Sequence, residues 1–221
     1  MYKRQWLNSL AEDVKYLREN DKEVIIVSSG AIAMGAKDLD LDMKNMKMDM
    51  NQAVSAVGQI HLMSSFKSAF EKNEIKISQI LLTLDDTEQR RRSINARRTI
   101  DTLLKLGIVP VVNENDTIAT SEIRYGDNDR LASRVAQITS ADCLILLSNI
   151  NGLYSADPST DEDVKLINKV SEIDKDIEKM IGQSISDYGK GGMKTKIQAA
   201  KTAMLSGCHL AITNGSIMRP V

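Results

Sequence analysis

The stretch Val24-Ile25-Ile26-Val27-Ser28-Ser29-Gly30-Ala31-Ile32-Ala33 decides the fold class of this chain. Residues 24–27 form a continuous apolar run, which predicts a strand at residues 24–28 that is buried on both faces of a sheet. The residues that follow are small, so a ligand could approach their backbone closely. Other runs of the same kind predict four more strands, at residues 77–82, 108–112, 143–148 and 209–213.

The segments between these strands have apolar residues at helical spacing. In the first predicted helix, apolar residues recur at intervals of three and four, at Trp6, Leu7, Leu10, Val14 and Leu17. Further helices are predicted at residues 51–70, 87–106, 129–138 and 194–205. Alternating helices and buried strands indicate an α/β fold, a three-layer αβα sandwich with a mostly parallel central sheet. No Pro/Ser-rich linker divides the chain, so residues 1–221 are predicted to form a single domain.

Composition excludes several classes of protein. With 42% hydrophobic and 27% charged residues, the 221-residue chain has the composition of an ordinary globular domain. Its 29 Lys and Arg against 30 Asp and Glu offer no basic excess, so no nucleic-acid partner is expected. No apolar run approaches the roughly 20 residues of a membrane span, so no membrane partner is expected either. Two cysteines are too few for a disulfide framework, and a cytoplasmic protein is predicted.

The informative residues lie directly behind the predicted strands, where parallel α/β sheets bind their ligands. Residues 113–117 (NENDT) follow the third strand, and residues 125–129 (YGDND) lead into a helix. Ser148 ends the fourth strand and Asn149 follows it. Residues 189–196 (GKGGMKTK) predict a glycine loop that opens a helix. Each segment alone could be an ordinary turn or helix cap. Their occurrence at the same end of one sheet favours a ligand site.

The glycine loop fits neither of two common nucleotide-binding motifs. Gly182 and the pair Gly189-Lys190 are too far apart for a Walker A loop, and no Gly-x-Gly-x-x-Gly follows an early strand. The loop could still hold phosphate through its backbone amides and the following helix N-terminus. Lys196, one turn into that helix, could reach a transferring phosphoryl group.

Four segments together resemble the amino acid kinase family. They are residues 27–33 (VSSGAIA), residues 52–59 (QAVSAVGQ), the pair 113–116 (NEND) and 126–129 (GDND), and residues 191–196 (GGMKTK). The resemblance runs in order over about residues 7 to 215. The NEND and GDND pair is typical of the members that phosphorylate glutamate, whereas the glycine loop is shared more widely.

The resemblance implies a role for each matching residue. Ser29, Gly30, Asp116 and Asn128 would bind the amino-acid substrate. Lys196 would contact the transferred phosphate, and Asp129 would orient the catalytic lysine. The ATP-binding residues would be Ser148, Asn149, Lys190, Gly191, Gly192, Met193, Lys194, Thr195 and Lys196.

The activity implied by the resemblance is ATP-dependent phosphorylation of the side-chain carboxylate of L-glutamate, the first step of proline biosynthesis. ATP and Mg²⁺ would be required, with no metal site on the protein itself. Homo-oligomers, dimers or tetramers, are usual in this family. His61 and His209 are expected to be structural, since they lie in a predicted helix and strand.

The chain departs from the family pattern in three respects. It begins after the family's first strand, which bears Lys-x-Gly-[Ser/Thr], and stops short of the last strands and of the C-terminal PUA domain that many members carry. Asn149 and Lys190 stand where the family has Asp and Thr. We therefore expect this polypeptide alone to be weakly active or inactive. Two alternatives stay open: a non-catalytic amino-acid-binding or regulatory module, and another kinase of the family that forms acyl phosphates.

Overall fold

The computed structural model describes residues 4–44, 46–119, 127–156, 164–175, 177 and 187–221. By its internal contacts the chain divides into two compact units, Met1–Ile123 and Arg124–Val221. None of the helices in the described ranges is both long and apolar enough to cross a lipid bilayer.

The first unit is built on a parallel three-stranded sheet. Its elements are α1 (Arg4–Glu19), β1 (Ile26–Val27), α2 (Ala31–Asp38), α3 (Met48–Glu71), β2 (Ile77–Leu82), α4 (Leu84–Glu88), α5 (Arg90–Lys105) and β3 (Val109–Glu114). The strand order is β1-β3-β2, with Ile26 opposite Val111 and Ile77 opposite Val109. The central strand β3 is the most deeply buried, because Val109, Val111 and Val112 are at most 2% exposed.

The second unit contains a parallel strand pair and an antiparallel one. Its described elements are α6 (Asp127–Thr139), β4 (Cys143–Ser148), β5 (Leu153–Tyr154), β6 (Leu166–Ile167), α7 (Asp187–Leu205) and β7 (His209–Asn214). Strands β4 and β7 run parallel, and β5 pairs antiparallel with β6. Small buried residues of α6 and α7, Ala136 and Ala203, pack with Cys208 into a core against which Leu144 lies.

The predicted α/β class with parallel strands is confirmed, and strands β2 and β4 begin and end where the apolar runs predict. Strand β1 is shorter than predicted, although the Ser28 N–H continues the ladder by donating to the Val112 carbonyl at 2.8 Å. The prediction of a single domain over residues 1–221 stays a prediction.

Two predicted elements were wrong. The helix predicted at residues 87–106 is two helices, α4 and α5, because Gln89 between them has an extended backbone with ψ 114°. The glycine loop predicted to open a helix also differs, since α7 begins at Asp187 and contains residues 189–192. Glycine disfavours a helix interior by only about 1 kcal/mol per residue and does not forbid it.

Helices α2 and α3 contact each other through their backbones. A Cβ on Gly35 would overlap the Val54 carbonyl oxygen, and one on Gly58 would overlap the Ala31 carbonyl oxygen. The same added Cβ on Gly58 would lie 2.5 Å from the Gly35 nitrogen. Both atoms belong to backbone, which cannot rotate away as a side chain can. Glycine at these two positions therefore sets the distance between the helices.

We predict that Gly58→Ala destabilises the protein even though alanine favours a helix by about 1 kcal/mol. The added methyl group must push α2 away from α3, and such overpacking costs about 1–3 kcal/mol or more. Urea unfolding measures the change. Ser65→Ala in the same helix is the control, because the Ser65 hydroxyl donates only to the His61 carbonyl of its own helix. Equal stability of Gly58→Ala and wild type would contradict the prediction.

A capping box begins α4. The Thr83 hydroxyl accepts a hydrogen bond from the Asp86 N–H, and the Asp86 carboxylate accepts one from the Thr83 N–H at 2.8 Å. Burial by itself would raise the pKa of Asp86. The Thr83 N–H and hydroxyl and the nearby Arg92 guanidinium outweigh burial and hold that pKa below its ordinary value of 3.8.

The lowered pKa predicts a pH-dependent contribution to stability. Above pH 4 the ionised Asp86 favours the folded state, and this contribution is lost as the pH falls through the folded-state pKa. Asp86→Asn should therefore be about 0.3–1 kcal/mol less stable than wild type at pH 7, with the difference shrinking toward pH 3. Urea unfolding of both proteins at several pH values tests this. A difference that does not change with pH would refute the role of the charge.

Candidate functional site

Two buried hydrogen bonds join α3 to the end of β3 in the first unit. The Ser55 hydroxyl donates to the Asp116 carboxylate at 2.5 Å, and the Asn113 amide donates to the Gln59 Oε1 at 2.7 Å. All four side chains are at most 9% exposed. Ser55 and Gln59 are four residues apart, so they lie on one face of the helix. That face binds one polar residue near the end of the central strand, Asn113, and one just behind it, Asp116.

The turn behind β3 holds Asp116 in place. The Asn115 N–H donates to the Leu82 carbonyl at 3.0 Å, which ties the turn to the end of β2. The Thr117 hydroxyl donates to the Asn115 side-chain oxygen at 2.6 Å, and the Ile118 N–H donates to the Asn115 carbonyl. The last of these bonds closes a β-turn over residues 115–118. Together these bonds direct the Asp116 carboxylate toward α3.

A cavity of about 230 Å³ lies beside Asp116. Its lining comes from α3, from β2 and from the turn behind β3: Ser55, Ala56, Gln59, Ile60, Gln79, Leu81, Glu114, Asn115, Asp116 and Thr117. Seven of these ten residues have polar side chains, which can fix the orientation of a small ligand. Its volume suits a small metabolite.

Ser29 and Gly30 form the turn between β1 and α2. Gly30 caps α2 with φ 100°, a left-handed conformation that favours glycine. A Cβ at this position would meet no atom within 4 Å, so the space in front of the turn is open. Both residues are exposed and accessible to a ligand.

The second unit contains a lysine–aspartate pair. The Lys196 ammonium donates to the Asp129 carboxylate at 2.8 Å, and the Thr195 hydroxyl donates to the same oxygen at 3.2 Å. The two charged side chains are 13% and 19% exposed. The neighbouring Asn128 has a buried Oδ1 that accepts no hydrogen bond from the described residues. The pair holds a positive charge in a fixed position on α7.

The ends of β4 and β7 lie side by side in this unit. The Ser148 hydroxyl donates to the Asn149 side-chain oxygen at 3.4 Å, and the Gly215 N–H donates to the Ser148 carbonyl at 2.6 Å. Along α7, Met193 and Thr195 are partly buried and Lys194 is exposed.

The structure brings together some of the predicted site residues within each unit. Lys196, Thr195 and Asp129 meet in the second unit. In the first unit Ser55 binds Asp116 and Gln59 binds Asn113, and neither Ser55 nor Gln59 is among the predicted site residues. Their signal was present in the segment QAVSAVGQ, where both polar side chains recur at helical spacing.

Some predictions lie outside what the structure describes. Gly126 is not described, and the structure gives only the backbone of Asp127, Lys190, Gly191 and Gly192. The described residues contain no cluster of three His, Cys, Asp or Glu side chains that could hold a metal ion.

The fold matches that of small-molecule kinases. The crystal structure of the isopentenyl phosphate kinase of T. acidophilum in its product complex has a TM-score of 0.63 at 14% identity, over 96% of this chain and 82% of that one. X-ray structures of isopentenyl phosphate kinase give a TM-score of 0.62 at 13% identity, over 98% and 84% of the two chains. At this identity the likeness concerns the fold alone.

Sequence similarity identifies the family, which the fold alone does not. The model of the amino acid kinase family matches residues 3–214, and the chain belongs to this family. It is similar to proteins named glutamate 5-kinase: 61% identical to that of Pelagibacter ubique and 51% to that of a Ruegeria species, over 99% of its residues in both cases. The chain spans about 60% of the length of these relatives.

A double-mutant cycle should detect the pairing of Lys196 with Asp129. Removing either partner leaves a largely buried charge without its counter-ion. The stability losses of Lys196→Met and Asp129→Asn should therefore add up to more than the loss in the double variant. The expected coupling energy is about 0.5–3 kcal/mol in chemical unfolding. Lys194→Met controls for loss of a lysine on α7, because Lys194 is exposed. Additive effects would mean that the pair contributes nothing to stability.

Proposed function

We propose that the protein containing this chain transfers the γ-phosphoryl group of ATP to the side-chain carboxylate of L-glutamate. The product would be L-glutamyl 5-phosphate, in the first step of proline biosynthesis. One observation carries the proposal: the chain matches relatives named glutamate 5-kinase over 219 residues, at 61% identity in the case of Pelagibacter ubique. The site chemistry supports it.

The polar residues suit an amino-acid substrate. We assign the substrate ammonium group to Asp116, because a carboxylate forms a charge-assisted hydrogen bond with a cation. Ser29 and Gly30 offer accessible groups at the start of α2, and Asn128 offers an oxygen that can accept a hydrogen bond. We retain all four as substrate-binding residues.

The reaction needs no general base. The side-chain carboxylate of glutamate has an ordinary pKa of about 4.3, so it is already an anion at neutral pH. The difficulty is to bring it toward another anion, the γ-phosphate of ATP. Positioning and positive charge therefore supply the catalysis. Lys196, oriented by Asp129 at 2.8 Å, is the described residue best suited to provide that charge.

ATP binding is assigned to Ser148, Asn149 and residues 190–196. Lys190 lies in the first turn of α7, where N–H groups lack partners inside the helix and favour an anion. Lys194 and Lys196 follow on the same helix and carry positive charge. Mg²⁺ would arrive with ATP, since this ion is usually bound through substrate phosphates and waters with few protein ligands. It would neutralise charge on the phosphates.

A second candidate function is a non-catalytic amino-acid-binding or regulatory module. It is favoured by the position of residues 189–192 within α7. Backbone N–H groups beyond the first turn of a helix donate along the helix rather than to a phosphate. Such a module would keep the Asp116 site and lack phosphoryl transfer.

The cellular location, oligomeric state and partners of the protein are also proposed from its family. We expect a cytoplasmic homo-oligomer, a dimer or tetramer, that acts on small molecules and binds neither nucleic acid nor membrane. The balanced charge and the small number of cysteines support this setting.

Glutamate-dependent formation of an acyl phosphate, trapped as the hydroxamate in the presence of ATP and Mg²⁺, tests the proposed function. Asp116→Ala should raise the KM for glutamate about 10- to 100-fold, because a hydrogen bond to a charged group is lost. Lys196→Met should lower kcat about 100-fold or more, because charge at the phosphoryl group is lost.

Ser65→Ala should leave both constants unchanged. Product formation that does not depend on glutamate would overturn the proposal. A rise in the thermal midpoint with glutamate, in a protein that forms no acyl phosphate, would select the binding module.

A further inference from the structure

Gln59 carries a buried hydrogen-bond donor that the structure does not use. Its Oε1 accepts from Asn113, while its Nε2 is buried and has no partner among the described residues. The side chain is 9% exposed. Buried polar groups in native proteins almost always have a partner, and an exception calls for an explanation such as a ligand.

The unused donor belongs to a residue that lines the cavity beside Asp116. The hydrogen bond from Asn113 fixes the position of the Gln59 Oε1, and with it the position of the Nε2 on the same amide. Ser55 similarly fixes the Asp116 carboxylate. Ser55 and Gln59 are four residues apart, about 6 Å along the helix axis. Both line the cavity, as does Asp116, so an anionic acceptor and a neutral donor belong to the same small lining.

An amino-acid backbone matches this arrangement. Its ammonium and carboxylate are attached to one carbon, so they can meet an acceptor and a donor that lie close together. A ligand without the carboxylate would leave the buried Gln59 Nε2 without an acceptor. The side-chain carboxylate of glutamate is not available for this role, because it must face the phosphoryl group.

We propose that Gln59 is a specificity-determining residue whose Nε2 donates to the α-carboxylate of the bound amino acid while Asp116 accepts from its ammonium group. This inference rests on the proposed function. Asn113 acts through Gln59 and is a positioning residue, since it holds the amide in the required orientation.

Paired substrates test the contact directly. L-glutamate and its α-amide, isoglutamine, share the reacting side-chain carboxylate and differ only at the group assigned to Gln59. In Gln59→Leu, the KM for glutamate should rise about 10- to 100-fold through loss of a hydrogen bond to a charged group, while the KM for ATP stays unchanged.

Gln59→Glu should reverse the preference. The new carboxylate repels the α-carboxylate of glutamate but can accept a hydrogen bond from the amide of isoglutamine. The ratio of kcat/KM for isoglutamine to that for glutamate should therefore rise at least tenfold above the wild-type ratio. A merely structural role for Gln59 would weaken both substrates equally and leave the ratio unchanged.

Ligand-induced shifts of the thermal midpoint provide a second readout that does not need turnover. They also report whether each variant is folded, and Ser65→Ala serves as the unaffected control on α3. A preference switch in either readout supports the assignment. An unchanged ratio in both readouts overturns it and means that the Gln59 donor binds water only.

The two proposals fail in different ways. If wild type phosphorylates glutamate and the Gln59 variants keep its KM and ratio, only the role of Gln59 falls. If wild type forms no acyl phosphate but the thermal shifts reverse in Gln59→Glu, the catalytic function falls and the contact stands. If glutamate neither reacts nor binds, both are wrong.

Discussion

The backbone contact between Gly35 and Gly58 is the constraint on which the first unit depends. No side chain separates α2 from α3 at this point, so the two helices are held at a distance that even one methyl group would change. Gly58 directly precedes Gln59, and α2 starts directly after Gly30. A single packing contact therefore positions both the turn at the start of α2 and the helix face that binds Asn113 and Asp116.

Buried hydrogen bonds from α3 position the polar residues of the candidate site. Ser55 binds Asp116 behind β3 and Gln59 binds Asn113 near the end of β3, and one buried donor of Gln59 is left over. Burying polar groups costs stability unless they are paired. A hydrogen-bonded cluster with a single unmatched donor is therefore better explained by ligand recognition than by core packing.

In the second unit an ion pair positions the candidate catalytic side chain. Asp129 on α6 holds the ammonium of Lys196 on α7, and the Thr195 hydroxyl binds the same oxygen. A long lysine side chain has many rotamers, and fixing it costs conformational entropy before any reaction begins. The bond to Asp129 already fixes the lysine side chain in the folded state. Less entropy is then lost when Lys196 contacts a transferred phosphate.

The sequence by itself determined the α/β class and the bounds of β2 and β4, because burial imposes a local pattern that can be read directly. The family followed from the resemblance of four motifs, such as residues 113–116, and not from periodicity. The predictions were wrong at Gln89 and at residues 189–192, where capping and helix propagation outweighed the pattern. Only the tertiary structure decided the partners of Asp116 and Asn113. Ser55 is 61 positions from Asp116 and Gln59 is 54 from Asn113, and no local periodicity specifies which buried polar groups meet after the chain folds.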